Sequence, residues 1–335
     1  MILVTGSTGL VGSQLLFDLA SAGSKVRAFK RSHSDLNSVN RLFQSFPKAF
    51  SNIEWFDGDI EDLYSIDEAM NGIDTVYHAA AFISFQGSER EKMMRINARA
   101  TGDLVNAALR HNVKNFCFIS SVAALGRVSG EQHIDETSWW KTSSKNSNYA
   151  ISKNSAEREV WRGIEEGLPA VIVNPSIILG SGNWKSGSTV MFPQVWKGLS
   201  FYSNGITGFV DVRDVSKAAR LLVEKGITNE RYILNSENVP YRKVFDLIAE
   251  SFKKPKAKIR VTPTLGEIGW RLEALRSLIT GNKPFITKET ARNAQMQWFY
   301  SNEKIKREIG IEFITVEQSV KDTCEKFLQE FDKNY

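Results

Sequence analysis

The sequence predicts an α/β fold in which a doubly wound parallel sheet carries a smaller, discontinuous C-terminal substrate-binding lobe. Three observations predict it. A short apolar strand, Met1-Ile2-Leu3-Val4, runs straight into the glycine-rich turn Thr5-Gly6-Ser7-Thr8-Gly9-Leu10-Val11-Gly12. Over the first 120 residues, short apolar runs alternate with longer amphipathic stretches, the mark of parallel β/α units. Past Pro175 that alternation gives way to a stretch rich in Gly, Ser, Trp and Phe with no clear period. A chain of 335 residues is at the upper edge of what one core supports, so one large domain with an appended lobe is expected.

The strands expected in order are Ile2–Thr5, Lys25–Lys30, Ile53–Phe56, Thr75–His78 and Asn115–Ser120, followed by Ala170–Asn174, which stops at Pro175. Each is a short run of apolar and β-branched residues bounded by polar or turn residues. Between them, helical spacing of apolar residues covers Ser13–Ala22, ending at Gly23, then Leu63–Met70 and Glu89–Arg110. Further on, Phe209-Val210-Asp211-Val212-Arg213-Asp214-Val215 leads into a helix that returns to the main domain, and Arg231–Leu234 adds a strand. The tail reads as a Pro-marked helix start near Tyr241, a strand Ile259–Val261, a helix Leu265–Ile279, and helices from Lys288 and Val316. The dinucleotide-binding domain is therefore expected over 1–173 and 207–237, and the lobe over 174–206 and 238–335.

A glycine-rich turn between strand and helix lets the backbone approach a pyrophosphate, and the helix N-terminus supplies unpaired N–H groups and a positive dipole end. Gly6, Gly9 and Gly12 recur every three residues, with Ser7, Thr8, Leu10 and Val11 filling the turn. The end of the second strand meets the adenosine ribose; NAD sites usually place an acid there and NADP sites a base. Here the residues are Lys30-Arg31-Ser32, with no acid before Asp35, so NADP(H) is expected, with NAD(H) as the other choice. Asp59, followed by Ile60, is placed to reach the adenine amino group or to cap a turn. Ala79 and Ala80 would leave room for the bridge between adenosine and nicotinamide.

Tyr149 and Lys153 lie at i and i+4, on one helix face. A tyrosine titrates near 10, and a neighbouring ammonium favours its phenolate, so the pair is suited to moving a proton to or from a substrate oxygen. Ser121, ending the fifth strand beside Ser120, is placed to hydrogen-bond the same oxygen. Lys153 has a second plausible task in holding the nicotinamide ribose. The polar loop Gly126–Asn148 is long enough to form a pocket wall. Phe82, Trp184, Met191 and Phe192 are further lining candidates, each also compatible with a core position, and their size suggests a hydrophobic or aromatic carbonyl compound.

These motifs resemble the extended short-chain dehydrogenase/reductases, also called the NAD-dependent epimerase/dehydratase family. The resemblance rests on the glycine turn, Asp59-Ile60, His78-Ala79-Ala80, Asn97, Ser120-Ser121, Tyr149…Lys153, Asn174-Pro175-Ser176-Ile177-Ile178-Leu179-Gly180 and Phe209 to Val215, and spans nearly the whole chain. It implies a Rossmann-type sheet and an NAD(P)-dependent oxidoreductase with Ser121, Tyr149 and Lys153 as catalytic group. It also implies that Gly6, Gly9 and Gly12 hold pyrophosphate, that Asp59 meets the adenine, and that Pro175, with Asn174 and Ser176 in the same motif, lies on the nicotinamide side. The run Val26-Arg27-Ala28-Phe29-Lys30-Arg31 looks most like the dihydroflavonol-reductase-like branch, which reduces ketones or aldehydes with NADPH. A sugar-nucleotide epimerase with retained cofactor is the alternative, and a non-catalytic dinucleotide sensor a more distant one. A dehydratase is disfavoured, because Val122 and Ala123 stand where such members place an extra acid beside the serine.

Composition narrows the partners. With 42% hydrophobic and 24% charged residues the chain is of the ordinary globular class. The net charge of +5 is small, and its densest run, Lys253 to Arg260, lacks interleaved aromatics, so neither nucleic acid nor membrane is an expected partner. The apolar start Met1–Val4 is too short for a signal peptide, and no window approaches a membrane span. Cys117 and Cys324 form no metal-ligand or CxxC pattern, which suits a reducing, cytoplasmic setting. His78 and His133 lack ligand spacing, and no metal is expected. Monomer and homodimer are both open.

Overall fold

The computed structural model describes residues 1–126, 132–143, 146–280 and 287–331. Seven parallel strands form the main sheet, in the spatial order Glu230–Leu234, Ala170–Pro175, Asn115–Ile119, Thr75–His78, Ile2–Thr5, Val26–Lys30 and Ile53–Asp57. The chain builds outward from Ile2–Thr5 in one direction, then returns to place Thr75–His78 on its other side. That reversal opens a crevice at the carboxyl ends of these two central strands, where ligands of open α/β sheets bind.

Alternate residues of the strands feed two cores. Val4, Cys117, Ile119, Val171 and Val173 face the helices Leu10–Ser21 and Val212–Glu224. Leu3, Val76, Phe116, Phe118 and Ile172 face the other layer, which includes Ala100–Arg110 and Asn148–Glu165. Burial on both faces explains the near-continuous apolar runs of these strands. Each large side chain so enclosed contributes roughly 1.5–3 kcal/mol.

The first helix starts at Leu10, three residues before the expected Ser13, because Gly9 is its N-cap and the carbonyl of Gly9 accepts from the Ser13 N–H at 2.9 Å. The segment expected as one helix over Glu89–Arg110 is broken: Met94–Arg99 is wound as a π-helix between Arg90–Met93 and Ala100–Arg110. Short helices Asn37–Phe43 and Pro47–Phe50 fill the second crossover.

The lobe has its own three-stranded sheet, Glu237–Pro240, Ile206–Asp211 and Ile177–Leu179. Of the piece expected in the main domain over 207–237, the helix Val212–Glu224 and strand Glu230–Leu234 pack with the large sheet, while Ile206–Asp211 joins the small one. The lobe core gathers Phe192, Phe209, Ile248, Phe252 and Phe327. Arg41, in the second crossover, ties the main domain to the lobe, donating to the Gly182 carbonyl at 3.2 Å and pairing with Glu330 at 3.0 Å. No helix among the described residues is long and apolar enough to cross a membrane.

Candidate active site

The glycine turn is shaped by close approach. Gly6 has φ +65°, and a Cβ there would lie 2.6 Å from the Ala80 nitrogen. A Cβ on Gly12 would lie 2.1 Å from the Gly6 carbonyl oxygen, whereas one on Gly9 would meet the same oxygen at 3.2 Å. Two of the three glycines are therefore sterically required, and the turn ends at the free N-terminus of a twelve-residue helix whose N-cap provides no side-chain hydrogen bond. Such a cradle could hold a pyrophosphate: it offers backbone N–H groups and a dipole end. Ser7 holds the cradle, donating its buried hydroxyl to the Phe29 carbonyl at 2.9 Å. Thr8, Leu10 and Val11 complete the turn and the first helical residues.

Beneath it runs a hydrogen-bond chain. The Ala80 N–H donates to Thr5 Oγ1 at 3.3 Å, and Thr5 Oγ1 meets His78 Nδ1 at 2.7 Å. His78 Nε2 meets Thr101 Oγ1 at 2.8 Å, and that hydroxyl donates to the Asn97 carbonyl at 2.5 Å. One assignment satisfies every group: neutral imidazole, proton on Nε2, Nδ1 accepting. Burial, helped by the Lys153 charge, holds His78 down to about 3. His78 is thus a neutral structural link beneath Ala79 and Ala80.

Asn97 sits in the π-wound segment and faces inward. Its Oδ1 accepts from the Phe82 N–H at 2.7 Å, and its Nδ2 donates to the Phe82 carbonyl and to Ser152 Oγ, both at 2.9 Å. The side chain clamps the loop after the fourth strand to the helix Asn148–Glu165, a placement that the π turn makes available.

The residues expected to react converge at the carboxyl end of Asn115–Ile119. Tyr149 and Lys153 lie in the helix Asn148–Glu165, which Ser147 caps by accepting from the Ala150 N–H at 2.9 Å. The Tyr149 hydroxyl and the Ser121 side chain come together at this strand end. Burial pushes that hydroxyl up to about 12, and Ser121 opposes the rise. The whole residue is only half-buried, so the rise reflects enclosure of its hydroxyl end. Lys153 is buried, donates to the Ile119 carbonyl at 2.9 Å, and lies 4.5 Å from the Phe118 ring centre. Burial pulls its ammonium down to about 7, against the attraction of Glu157. Ser121 caps a short turn through the Ala123 N–H at 3.1 Å, and Val122 and Ala123 form that turn.

Glu157, which the sequence reading did not single out, is buried one further helical turn on. Its Oε2 accepts from Ser120 Oγ at 2.7 Å and from Asn174 Nδ2 at 2.8 Å, and its Oε1 pairs with Arg231 at 3.2 Å. The available signal was spacing: Tyr149, Lys153 and Glu157 follow at i, i+4 and i+8. Asn174 also donates to the Ser121 carbonyl at 3.0 Å, while its own buried Oδ1 and the buried Ser176 hydroxyl have no partner in the protein. Two orphaned polar atoms thus flank Pro175, the Asn174 one close to Ser121.

Other expected residues lie elsewhere. Lys30 is ion-paired with Asp57, its register partner on the third strand, while Arg31 and Ser32 are exposed. Asp59 is exposed and caps a turn, accepting from the Glu61 N–H at 3.0 Å, and Ile60 packs on the core beside it. Trp184 packs edge-on against Phe192 and Phe327 and donates its indole N–H to Glu330 at 2.5 Å. Phe192 is wholly buried, and Met191 packs on the same lobe core. These aromatics build the lobe rather than line the crevice, a correction to the reading of residues 176–206. Phe82 stays at the crevice, its ring 4.4 Å from the Lys92 ammonium. Of the loop Gly126–Asn148, residues 127–131 and 144–145 lie outside the described residues. No cluster that could hold a metal occurs among the described residues.

The model of the NAD dependent epimerase/dehydratase family matches residues 2–234. The chain belongs to this family. It is accordingly an NAD(P)-binding enzyme of the oxidoreductase/epimerase kind. Similar family proteins include sterol demethylase protein B of Methylococcus capsulatus, 30% identical over 78% of this chain and 78% of its own length. Cinnamoyl-CoA reductase 1 of Petunia hybrida is 27% identical over 98% and 92%. Dihydroflavonol 4-reductase of Arabidopsis thaliana is 28% identical over 76% and 69%. The dihydroflavonol-reductase-like branch is thus one of several at similar distance, and none dominates. The crystal structure of gox2253 superposes with a TM-score of 0.80, at 30% identity over 98% of both chains.

The expected preference for NADP(H) is overturned. Solved structures with this fold hold NAD: WbmH of Bordetella bronchiseptica with NAD+ (TM-score 0.75, 19% identity, 98% of both chains) and UDP-glucose 4-epimerase of Thermus thermophilus with NAD (0.74, 19%, 97% and 98%). The physical reason lies in Lys30, whose charge Asp57 neutralises, so the basic pair read from sequence is half occupied within the protein.

Proposed function

We propose that this enzyme interconverts a secondary alcohol and its carbonyl on a small metabolite, using NAD(H) held by the glycine cradle. The observation that carries the reading is the convergence of Tyr149 and Ser121, with Lys153 buried one helical turn away and donating to the Ile119 carbonyl. A bound nicotinamide supplies the hydride acceptor and donor. Gly6, Gly9 and Gly12 would hold its pyrophosphate, Ala79 and Ala80 leave room for its bridge, and Asn174, Pro175 and Ser176 offer polar atoms on the nicotinamide side. Ser121 orients the substrate oxygen. Tyr149 gives that oxygen a proton as a carbonyl is reduced, or takes one as an alcohol is oxidised. Lys153 presents positive charge that favours the phenolate, so the proton transfer occurs far below the tyrosine's resting value.

The same residues serve two modes. In one, the alcohol is oxidised transiently and re-reduced from the opposite face, so a sugar-nucleotide epimer forms with no net cofactor change. In the other, a ketone or aldehyde is reduced outright. The UDP-glucose 4-epimerase that holds NAD on this fold is in keeping with the first mode. That mode also agrees with the packing of Trp184 on the wholly buried Phe192, which removes the aromatic lining that favoured a hydrophobic carbonyl compound. The similar reductases support the second. Incubation with sugar nucleotides and with a panel of aldehydes and ketones plus NADH separates them. Epimer without NADH loss establishes the first mode, and NADH loss with a carbonyl the second. Neither outcome, with NAD binding intact, sinks the proposal.

A further inference from the structure

The buried carboxylate of Glu157 has more partners than packing needs. Taking a charge into the interior costs several kcal/mol, and an apolar residue of like volume often serves stability as well. Here the carboxylate instead collects three donors that lead to the reacting residues. Ser120 gives its hydroxyl at 2.7 Å and is the chain neighbour of Ser121. Asn174 gives one amide hydrogen to Glu157 at 2.8 Å and the other to the Ser121 carbonyl at 3.0 Å. The backbone at Ser121 is thereby fixed from two sides.

Arg231 carries the same constraint outward. While one arm pairs with Glu157, its Nε and Nη2 donate to the Glu136 carbonyl at 2.9 Å and 2.6 Å, and Nη2 also reaches the Ser138 carbonyl at 3.0 Å. Glu136 in turn accepts from the Ile233 N–H at 2.8 Å. The loop segment 132–143 is therefore fastened to the same carboxylate that anchors the serine.

Glu157 also faces Lys153 from one helical turn away. Among the described residues, the other titratable groups around that ammonium are Tyr149 on the same helix and the neutral His78 from the fourth strand. The Ile119 carbonyl and the Phe118 ring complete its surroundings. Glu157 is the one anion in that set. We infer that Glu157 is a positioning residue: it orients the Ser120–Ser121 strand end and sets a buried negative charge one helical turn from Lys153. The inference rests on the reading of Ser121, Tyr149 and Lys153 as the reacting group.

The test is Glu157→Gln, which keeps the size but removes the charge and one of the two acceptor oxygens, beside Glu157→Asp. Lys153 is followed by NMR of protein carrying 13C at the lysine ε-carbons, its signal assigned by loss in Lys153→Met. In Glu157→Gln the Lys153 titration midpoint is expected to fall by about one pH unit or more. Turnover is expected to fall about tenfold to a hundredfold, with the KM for NADH unchanged within about twofold. Glu157→Asp is expected to restore part of both. A folded Glu157→Gln protein whose Lys153 titrates like wild type overturns the inference. If that variant does not fold, an unshifted Lys153 in Glu157→Asp overturns it equally. Absence of turnover in wild type would defeat the function proposed above, while the Lys153 titration still decides the role of Glu157.

Discussion

Tyr149 and Lys153 stand one helical turn apart, and enclosure moves them in opposite directions: the tyrosine hydroxyl up to about 12, the lysine ammonium down to about 7. Both shifts disfavour charge in the ligand-free crevice. A dinucleotide and a substrate oxygen would add hydrogen bonds and positive charge where the protein alone has little, bringing the tyrosine toward its working range.

Tyr149→Phe removes the proton donor and leaves the fold. Turnover is expected to drop by about two to four orders of magnitude, the usual worth of a positioned acid–base group. NADH affinity, followed by its fluorescence on binding, is expected to change by less than about threefold, because the ring stays in place. Retained turnover would remove Tyr149 from the chemistry.

The Lys153 shift has a stability signature. Its folded value, about 7, lies below the ordinary 10.5, so between those values the unfolded chain binds the extra proton. Stability contributed by this group rises with pH across that window and is lost as pH falls through about 7. Urea unfolding at about pH 7 and about pH 9.5, below the onset of Tyr149 ionisation, is expected to show wild type gaining up to about 3 kcal/mol relative to Lys153→Met. Parallel pH curves for the two proteins would place Lys153 in water.

The glycines of the turn are not equivalent. Gly12→Ala forces a Cβ to 2.1 Å from the Gly6 carbonyl, and Gly6→Ala adds a clash with Ala80 at a positive φ. Each is expected to weaken NAD binding more than tenfold, about 1.4 kcal/mol or more, and to lower Tm. Gly9→Ala meets its neighbour at 3.2 Å and is expected to bind within about threefold of wild type. Calorimetric titration of the three variants checks the order.

Much of this site was legible because it depends on local spacing. The i, i+4 pair Tyr149 and Lys153, the glycine turn and the strand that stops just before Ser121 are short-range patterns, and the structure brings them to the carboxyl ends of the strands. What escaped depends on register between distant segments. Lys30 looked available for a phosphate until its parallel alignment with Asp57 on the next strand paired them. Trp184 and Phe192 looked like a pocket because residues 176–206 have no period; they form a core with Phe327 from the C-terminal helix, far away in sequence. The strand Ile177–Leu179 is too short to show alternation. Asn97 stands among the motif residues and Glu157 at helical spacing from Lys153, but only the fold reveals what their buried side chains hold.

Thr101→Val probes the chain beneath the cradle. It leaves the His78 Nε2 proton without an acceptor in a buried site and frees the link to the Asn97 carbonyl. Equilibrium unfolding is expected to show a loss of about 1–3 kcal/mol, the cost of stranding a buried donor. A change below about 0.5 kcal/mol would mean that water reaches His78.

The most direct test of the central claim is a rapid-mixing experiment in which the NAD-loaded protein meets sugar nucleotides and secondary alcohols while the absorbance of reduced nicotinamide is followed. A rise in wild type that is lost in Tyr149→Phe, with NAD still bound in both, is the expected result. A rise of equal rate and size in Tyr149→Phe would contradict the assignment of Tyr149 as the proton-transfer group.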